Sequence, residues 1–366
     1  MSFRTILPTL IGCCLIHFCI GSVYSLSVLY KPIIEMTSWN INTLVNSFSC
    51  IILILGITAS IHQKLLHNHH KQPILIYSIL TWTFCQNLLI SMIENNSSSM
   101  IYIIVSLILG VSIGLLYVMP INIITNFNHK RTGLLSGLVI SCFGIGSLIS
   151  AKLFSYITEY FSISLLHELY VTYGVIMLIG VFLIKTNTLV ESINSFNRDK
   201  KWYLLAIVYF CNIGIGISLL SNLVSLSTDI GTLTLESAIL LTALTGLSNT
   251  AGRIIYPYLS DYIGKYKTII MILLLQFVSV IMLQYYWMSS VLIILSVYGG
   301  FFALMPGLMK EVYKENGSIA YSQILSIWGI SGFLSPLIFY QSGNNLAILG
   351  GFSLMTLLCM LNFNRK

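Results

Sequence analysis

Runs of about twenty mostly apolar residues follow one another along the whole chain, separated by short loops that hold nearly all of its charge. A helix of that length crosses the hydrocarbon of a bilayer, and 366 residues with short loops leave room for about twelve crossings. We read spans near 5–30, 41–61, 73–92, 100–125, 134–158 and 167–185, then near 202–227, 235–258, 268–288, 290–309, 319–340 and 346–362. The tightest join is the ninth to the tenth, where only Met288, Ser289 and Ser290 separate two apolar runs. Only 8% of residues are charged, against roughly 25% in a soluble domain. A water-soluble fold could not cover its surface with so few. Disorder and a secreted disulfide scaffold are excluded as well, because polar content is low and the eight cysteines are scattered through the spans without C-x-x-C spacing.

The cations set an orientation. All but three of the eighteen Lys and Arg lie in even-numbered loops and at the two termini. Lys31 and Lys152 fall on the opposite side, and Arg253 lies inside a span. The positive-inside rule then puts both termini in the cytoplasm. The net charge of +7 is mostly this topology signal, so no nucleic-acid partner is inferred from it. Leu10-Ile11-Gly12-Cys13 looks like a lipoprotein cleavage site, but the apolar run before it is too short for a signal and continues past it, so an uncleaved first span is expected.

The longest connection, polar and charged, runs from Lys185 to Lys201 and divides the chain into a bundle over 1–185, a cytoplasmic linker over 186–200 and a second bundle over 201–366. The halves repeat each other. Gly114-Leu-Leu-Tyr-Val-Met-Pro120 in span four matches Gly300-Phe-Phe-Ala-Leu-Met-Pro306 in span ten, and Phe143-Gly144-Ile145-Gly146 matches the stretch from Trp328 to Gly332. Duplicated six-helix halves able to rock about a midplane site are a transporter architecture.

The loop after span eight reads Pro257-Tyr258-Leu259-Ser260-Asp261-Tyr262-Ile263-Gly264-Lys265-Tyr266-Lys267. It resembles the G-x-x-x-D-x-x-G-R/K-x-R/K loop of the major facilitator superfamily, with Pro257 in place of the leading glycine. The first copy has decayed: beyond Gly56, Ser60 stands where the acid is expected and Gln63 where the second glycine belongs, with Lys64 in phase. Gly21-Ser22-Val23-Tyr24, Lys130-Arg131-Thr132-Gly133, Asn249-Thr250-Ala251-Gly252-Arg253 and Tyr298-Gly299-Gly300 are similar to the oxalate/formate antiporter branch and its monocarboxylate-transporter relatives. The resemblance implies an all-α membrane fold of twelve helices in two pseudo-symmetric bundles. It also implies a gating role for Asp261, Gly264, Lys265 and Lys267, and an Arg253 that binds substrate anions.

Chemistry alone also singles out Arg253, the one charge deep in a span. Its cost, at least about 2.5 kcal/mol on insertion scales, demands a partner. A guanidinium fork fits a carboxylate, whereas the plain alternative has it snorkel or pair with Asp261. Asn249, one turn earlier, is placed to hydrogen-bond the Arg or its ligand. Oxalate carriers are expected to have a second cation in span eleven; here no Lys or Arg lies between Lys314 and Arg365, so one positive charge suits a monoanion. Tyr24, Tyr117, Tyr298 and Trp328 sit where that branch lines its cavity with aromatics, although 21 Tyr, 18 Phe and 5 Trp make ordinary packing a rival reading. His17 is a candidate proton site with packing as its alternative. His62, His67, His69 and His70 sit in what reads as a flexible loop and are not taken as metal ligands.

No P-loop, G-x-S-x-G or zinc motif is present, so no enzyme activity, cofactor or metal is expected. The reading is a monomeric multi-pass carrier in a membrane, read as a bacterial plasma membrane from AT-rich residue usage. It moves a small organic monoanion by alternating access and touches lipid. Two rivals stand beside it: an exporter of drugs or neutral metabolites, and a transport-inactive sensor or scaffold.

Overall fold

A computed structural model describes residues 3–66, 69–127, 131–185, 196–221, 223–229, 231–341 and 345–363. His67, Lys130 and most of the 186–200 linker lie outside the described residues. Everything with regular structure is helical: α1 Phe3–Ile20, α2 Tyr30–Met36, α3 Ile41–Leu66, α4 Lys71–Glu94, α5 Ser99–Thr125, α6 Thr132–Tyr160 and α7 Leu165–Leu183. Then come α8 Lys200–Ser221, α9 Leu223–Asp229, α10 Leu235–Ile263, α11 Lys265–Met282, α12 Trp287–Tyr313, α13 Gly317–Gln341 and α14 Asn345–Asn362. These helices supply the twelve spans that the sequence leads one to expect. Among the described residues nine stretches are long and apolar enough to cross a membrane. One of them, Trp287–Ser335, joins α12 to α13, and α10 and α14 complete the set.

The chain forms two compact units. The first comprises residues 1–129 and 142–194, the second 130–141 and 195–366, so α6 gives its opening turns to the second unit and the remainder to the first. Small residues set how closely helices approach. A Cβ on Gly146 would stand 1.8 Å from the Phe18 carbonyl oxygen, and one on Gly252 would stand 1.9 Å from that of Ser296. Only hydrogen fits at such crossings.

Three places differ from the sequence reading. Span one is not a single α-helix over 5–30: a 3-10 segment, Gly21–Leu29, separates α1 from α2. Its cause is local docking on α6. A Cβ at Gly21 would meet the Phe143 carbonyl oxygen at 2.1 Å, and Ser25 Oγ donates to the Ser147 carbonyl at 2.6 Å, so the chain tightens to keep both contacts. Spans nine and ten part at 283–286, not at 288–290. Tyr285 and Tyr286 are exposed, while Trp287 is buried and its Nε1 donates to Ser227 Oγ at 2.9 Å; the helix breaks so that the indole can reach α9. His62 is not in a loop either. Helix α3 continues to Leu66, leaving His62 buried with Nδ1 2.8 Å from the Ala59 carbonyl oxygen.

Candidate functional site

In the first unit the singled-out residues converge on a residue that sequence reasoning did not choose, Phe143. Its ring lies 5.0 Å from Tyr24, 5.6 Å from Tyr117 and 6.4 Å from His17, in edge-on contacts that suit aromatic quadrupoles. Gly144 and Gly146 follow Phe143 in the chain, and the Gly21 contact brings the first span onto its backbone. His17 is fully buried. Its Nε2 lies 3.0 Å from the Tyr117 carbonyl oxygen, an acceptor, so Nε2 carries hydrogen and the ring serves as a tie between α1 and α5. Tyr117 is 1% exposed; Tyr24 is half-buried.

In the second unit the focus is Arg253, on the face of α10 that meets α12. Two close approaches fix that face: Gly252 on Ser296, and Gly299 on Asn249, where a Cβ would stand 2.2 Å from the Asn249 carbonyl oxygen. Arg253 is 4% exposed, so it does not snorkel to water. Its Nη1 donates to the Ile140 carbonyl at 2.8 Å, and its Nε, also buried, has no hydrogen-bond partner among the described residues. Its Cζ sits 5.8 Å from the Phe302 ring centroid, within cation–π range. Phe302 in turn meets Trp328 edge-on at 5.2 Å and Tyr209 at 5.8 Å. Tyr298 and Trp328 are each 1% exposed, and Tyr298 packs against Gly216. Asn249 is buried nearby, but among the described residues its side chain shares no hydrogen bond with the guanidinium. Arg253 pairs with no carboxylate among those residues either.

Asp261 is engaged elsewhere. Its Oδ1 accepts from Gly133 N at 3.1 Å and its Oδ2 from Leu134 N at 3.0 Å, so the carboxylate caps the first turn of α6, where unpaired N–H groups and the helix dipole favour an anion. Gly133 admits it, since a Cβ there would lie 2.6 Å from Asp261 Oδ1. Gly264 has φ +90°, the left-handed region that ends α10 and starts α11. Lys265 Nζ lies 3.6 Å from Glu311 Oε2, and its stem covers Gly307. Lys267 is exposed. Among the described residues no group of three His, Cys, Asp or Glu could hold a metal.

Sequence reasoning missed Phe143, Phe302 and the Ile140 carbonyl. Phe143 and Phe302 each stand in a glycine-rich stretch used to detect the repeat, and that was the only signal available.

Comparison with known proteins agrees with this architecture. The family profile of the Major Facilitator Superfamily matches residues 13–336. The chain is similar to the uncharacterized MFS-type transporter YhjX of Escherichia coli K12, 21% identical over 341 residues that cover 86% of this chain and 82% of that one. Among solved structures it resembles the outward conformation of FucP, a Major Facilitator Superfamily transporter, with a TM-score of 0.77 and 12% identity over 99% of both chains. It also resembles the human organic anion transporter MFSD10 (TETRAN), with a TM-score of 0.72 and 11% identity over the full length of both. At such identities these likenesses concern the fold.

Proposed function

The chain belongs to the Major Facilitator Superfamily and is a multi-pass membrane transporter, not an enzyme; from that premise we propose that its cargo is a small organic monoanion, monocarboxylate-like, bound by Arg253. The carrying observation is a buried guanidinium that, among the described residues, is met by one neutral carbonyl, keeps a spare Nε donor and is paired with no acid. Burying a charge costs several kcal/mol unless an opposite charge or dense hydrogen bonding compensates it. The Ile140 carbonyl and the Phe302 face orient the planar group without neutralising it, leaving room in the charge balance for one carboxylate.

On this reading Tyr298 and Trp328 wall the Arg253 site within the second unit, with Asn249 as a polar contact, while Tyr24, Tyr117 and the candidate proton site His17 belong to the first unit's own cluster around Phe143. Superfamily members work by alternating access. The gate is assigned to the α10–α11 link: Asp261 holds the start of α6, Gly264 makes the turn, and Lys265 and Lys267 flank it. Both termini are placed in the cytoplasm from the distribution of Lys and Arg. The membrane is read as a bacterial plasma membrane and the carrier as a monomer, with halves 1–185 and 201–366 joined by 186–200.

The test is uptake by purified protein in liposomes, screened with a panel of labelled mono- and dicarboxylates. Arg253→Ala should reduce monocarboxylate flux by about 100-fold or more, in line with loss of a buried charged contact. Arg253→Lys should restore little of it, because a point charge lacks the fork. Flux by Arg253→Ala equal to that of the wild type ends the proposal. One observation favours a second reading: the bond to Ile140 also makes Arg253 a tie between α10 and α6. If tying is its whole role, Arg253→Ala will lower the yield of folded protein while flux per folded molecule stays unchanged.

A further inference from the structure

A polar cluster at one end of the first bundle has no part in the anion reading. Helices α4 and α7 lie side by side, antiparallel, and two sets of residues define their contact face. Thr83 opposes Gly174, where a Cβ would stand 2.4 Å from Thr83 Oγ1. Farther along, Asn87 and Glu94 oppose His167. Asn87 Nδ2 donates to the Thr83 carbonyl at 2.8 Å. A carbonyl only accepts, so the amide is oriented and its Oδ1 is the atom turned to α7. His167 Nδ1 stands 2.7 Å from that oxygen, and His167 Nε2 stands 3.4 Å from Glu94 Oε2. Both neighbours are acceptors. A neutral imidazole has one N–H and one lone pair, so either tautomer would turn a lone pair toward an oxygen. Only the imidazolium donates on both sides.

We propose that His167, Asn87 and Glu94 form a proton-binding site: a proton taken from solution completes a bridge between α4 and α7, and its loss opens that bridge. The site is reachable, His167 and Glu94 being 27% and 29% exposed. It lies at the end of the bundle away from the N-terminus, because the other end of α7 meets α1 through Gly180 and Gly12 and through Lys185 N on Thr9 Oγ1. On the topology proposed above, that is the outer face, so the site answers to external acidity.

On α2, which also packs on α4, Lys31 and Glu35 pair with each other, and on α5 Tyr102 is buried against Trp39. Along α4 the only other charge is Lys71 at the opposite end, and on α7 Glu168 is exposed beside His167. From α1, His17 is bound to the Tyr117 carbonyl, and Arg4 lies at the far end. From α6, Phe154 and Ser150 meet Tyr170 and Tyr173, while Lys152 and Glu159 are exposed. The cluster shares no residue with the Arg253 site, so the inference stands independently of the cargo.

The experiment is nitrogen and carbon NMR of the full chain in lipid nanodiscs with labelled histidine, His167 being assigned by the signal absent from His167→Gln. At about pH 6 the His167 ring should show both nitrogens protonated, and Glu94→Gln should leave it with a single N–H at the same pH, because a neutral amide can donate to a ring lone pair and a carboxylate cannot. A His167 ring with one protonated nitrogen at about pH 6, or one that stays doubly protonated in Glu94→Gln, overturns the proposal.

Discussion

In the second unit α10 stops at Ile263 because Gly264 takes φ +90°, and the chain turns there into α11. In the first unit Gln63 occupies the matching place, and α3 runs through it to Leu66. The neighbouring acid differs in the same way. Asp261 accepts two backbone N–H groups of α6, whereas its counterpart Ser60 carries no charge to offer a helix end. The mid-bundle ties follow this pattern too: His17 and Arg253 each bond a backbone carbonyl of a neighbouring helix, Tyr117 and Ile140, but only Arg253 is permanently charged. One plan, repeated, has kept its helix packing in both halves, while the charged versions of this link and of the mid-bundle tie stand in the second alone. The packing is therefore the part both halves need in order to fold, and the charges are the part available for function.

The hardest blow to this comparison should fall on packing, and equally on both sides. Gly146→Val and Gly252→Val each force a side chain onto a backbone oxygen under 2 Å from its Cβ, so two helices must part. Each should cost about 3 kcal/mol or more, read from thermal unfolding followed with a thiol-reactive dye. Gly350→Ala, where nothing lies within 4 Å, should cost no more than about 0.5 kcal/mol. If Gly146→Val is tolerated while Gly252→Val is not, the shared packing rule is wrong.

Next comes the cap. Asp261→Ala removes an ionised acceptor from two helix-end N–H groups and should destabilise by about 1–2 kcal/mol, with Asp261→Asn losing roughly half of that. The converse change, Ser60→Asp in the first half, is expected to leave stability within about 0.5 kcal/mol. A gain as large as the Asp261 loss would mean that the decayed link still faces a helix end.

The glycine follows. Gly264→Ala should cost about 1 kcal/mol, because an L side chain is strained at φ +90° whatever the space around it. Gln63→Gly should fray the last turn of α3 and lower stability by about 0.5–1 kcal/mol without restoring a turn.

These contrasts also mark what the sequence could reveal. The twelve spans, the duplicated halves and the isolation of Arg253 were legible because hydropathy and charge are properties of residue types. Gly264 and Asp261 were legible through their spacing. The 3-10 segment after Ile20 was not, because Gly21 and Ser25 act through the backbone of α6 more than a hundred residues away. Nor was the break before Trp287, which depends on Ser227. Phe143 and Phe302 stayed hidden because a ring that organises others has the same composition as one that fills space. The His62 reading failed for the opposite reason: polar neighbours made a helix end look like a loop.

The smallest expected effect concerns Lys265 and Glu311, and it tests whether the link works as one device or several. Their charged atoms are 3.6 Å apart, with the Lys265 side chain 18% exposed and that of Glu311 56% exposed. Solvent at the carboxylate weakens the attraction, and half-exposed pairs typically contribute about 0.2–1 kcal/mol. Glu311→Gln should therefore lower stability by about 0.3 kcal/mol, a difference that fades toward 1 M salt. Asp261 spends its two oxygens on α6, not on Lys265, so the double variant Asp261→Ala with Glu311→Gln should be additive within about 0.5 kcal/mol. Additivity would mean that the cap alone holds the start of α6. A coupling above about 1 kcal/mol would instead join Lys265 to the cap, and the loss of an acid at Ser60 would then have disabled a whole network in the first half instead of one contact.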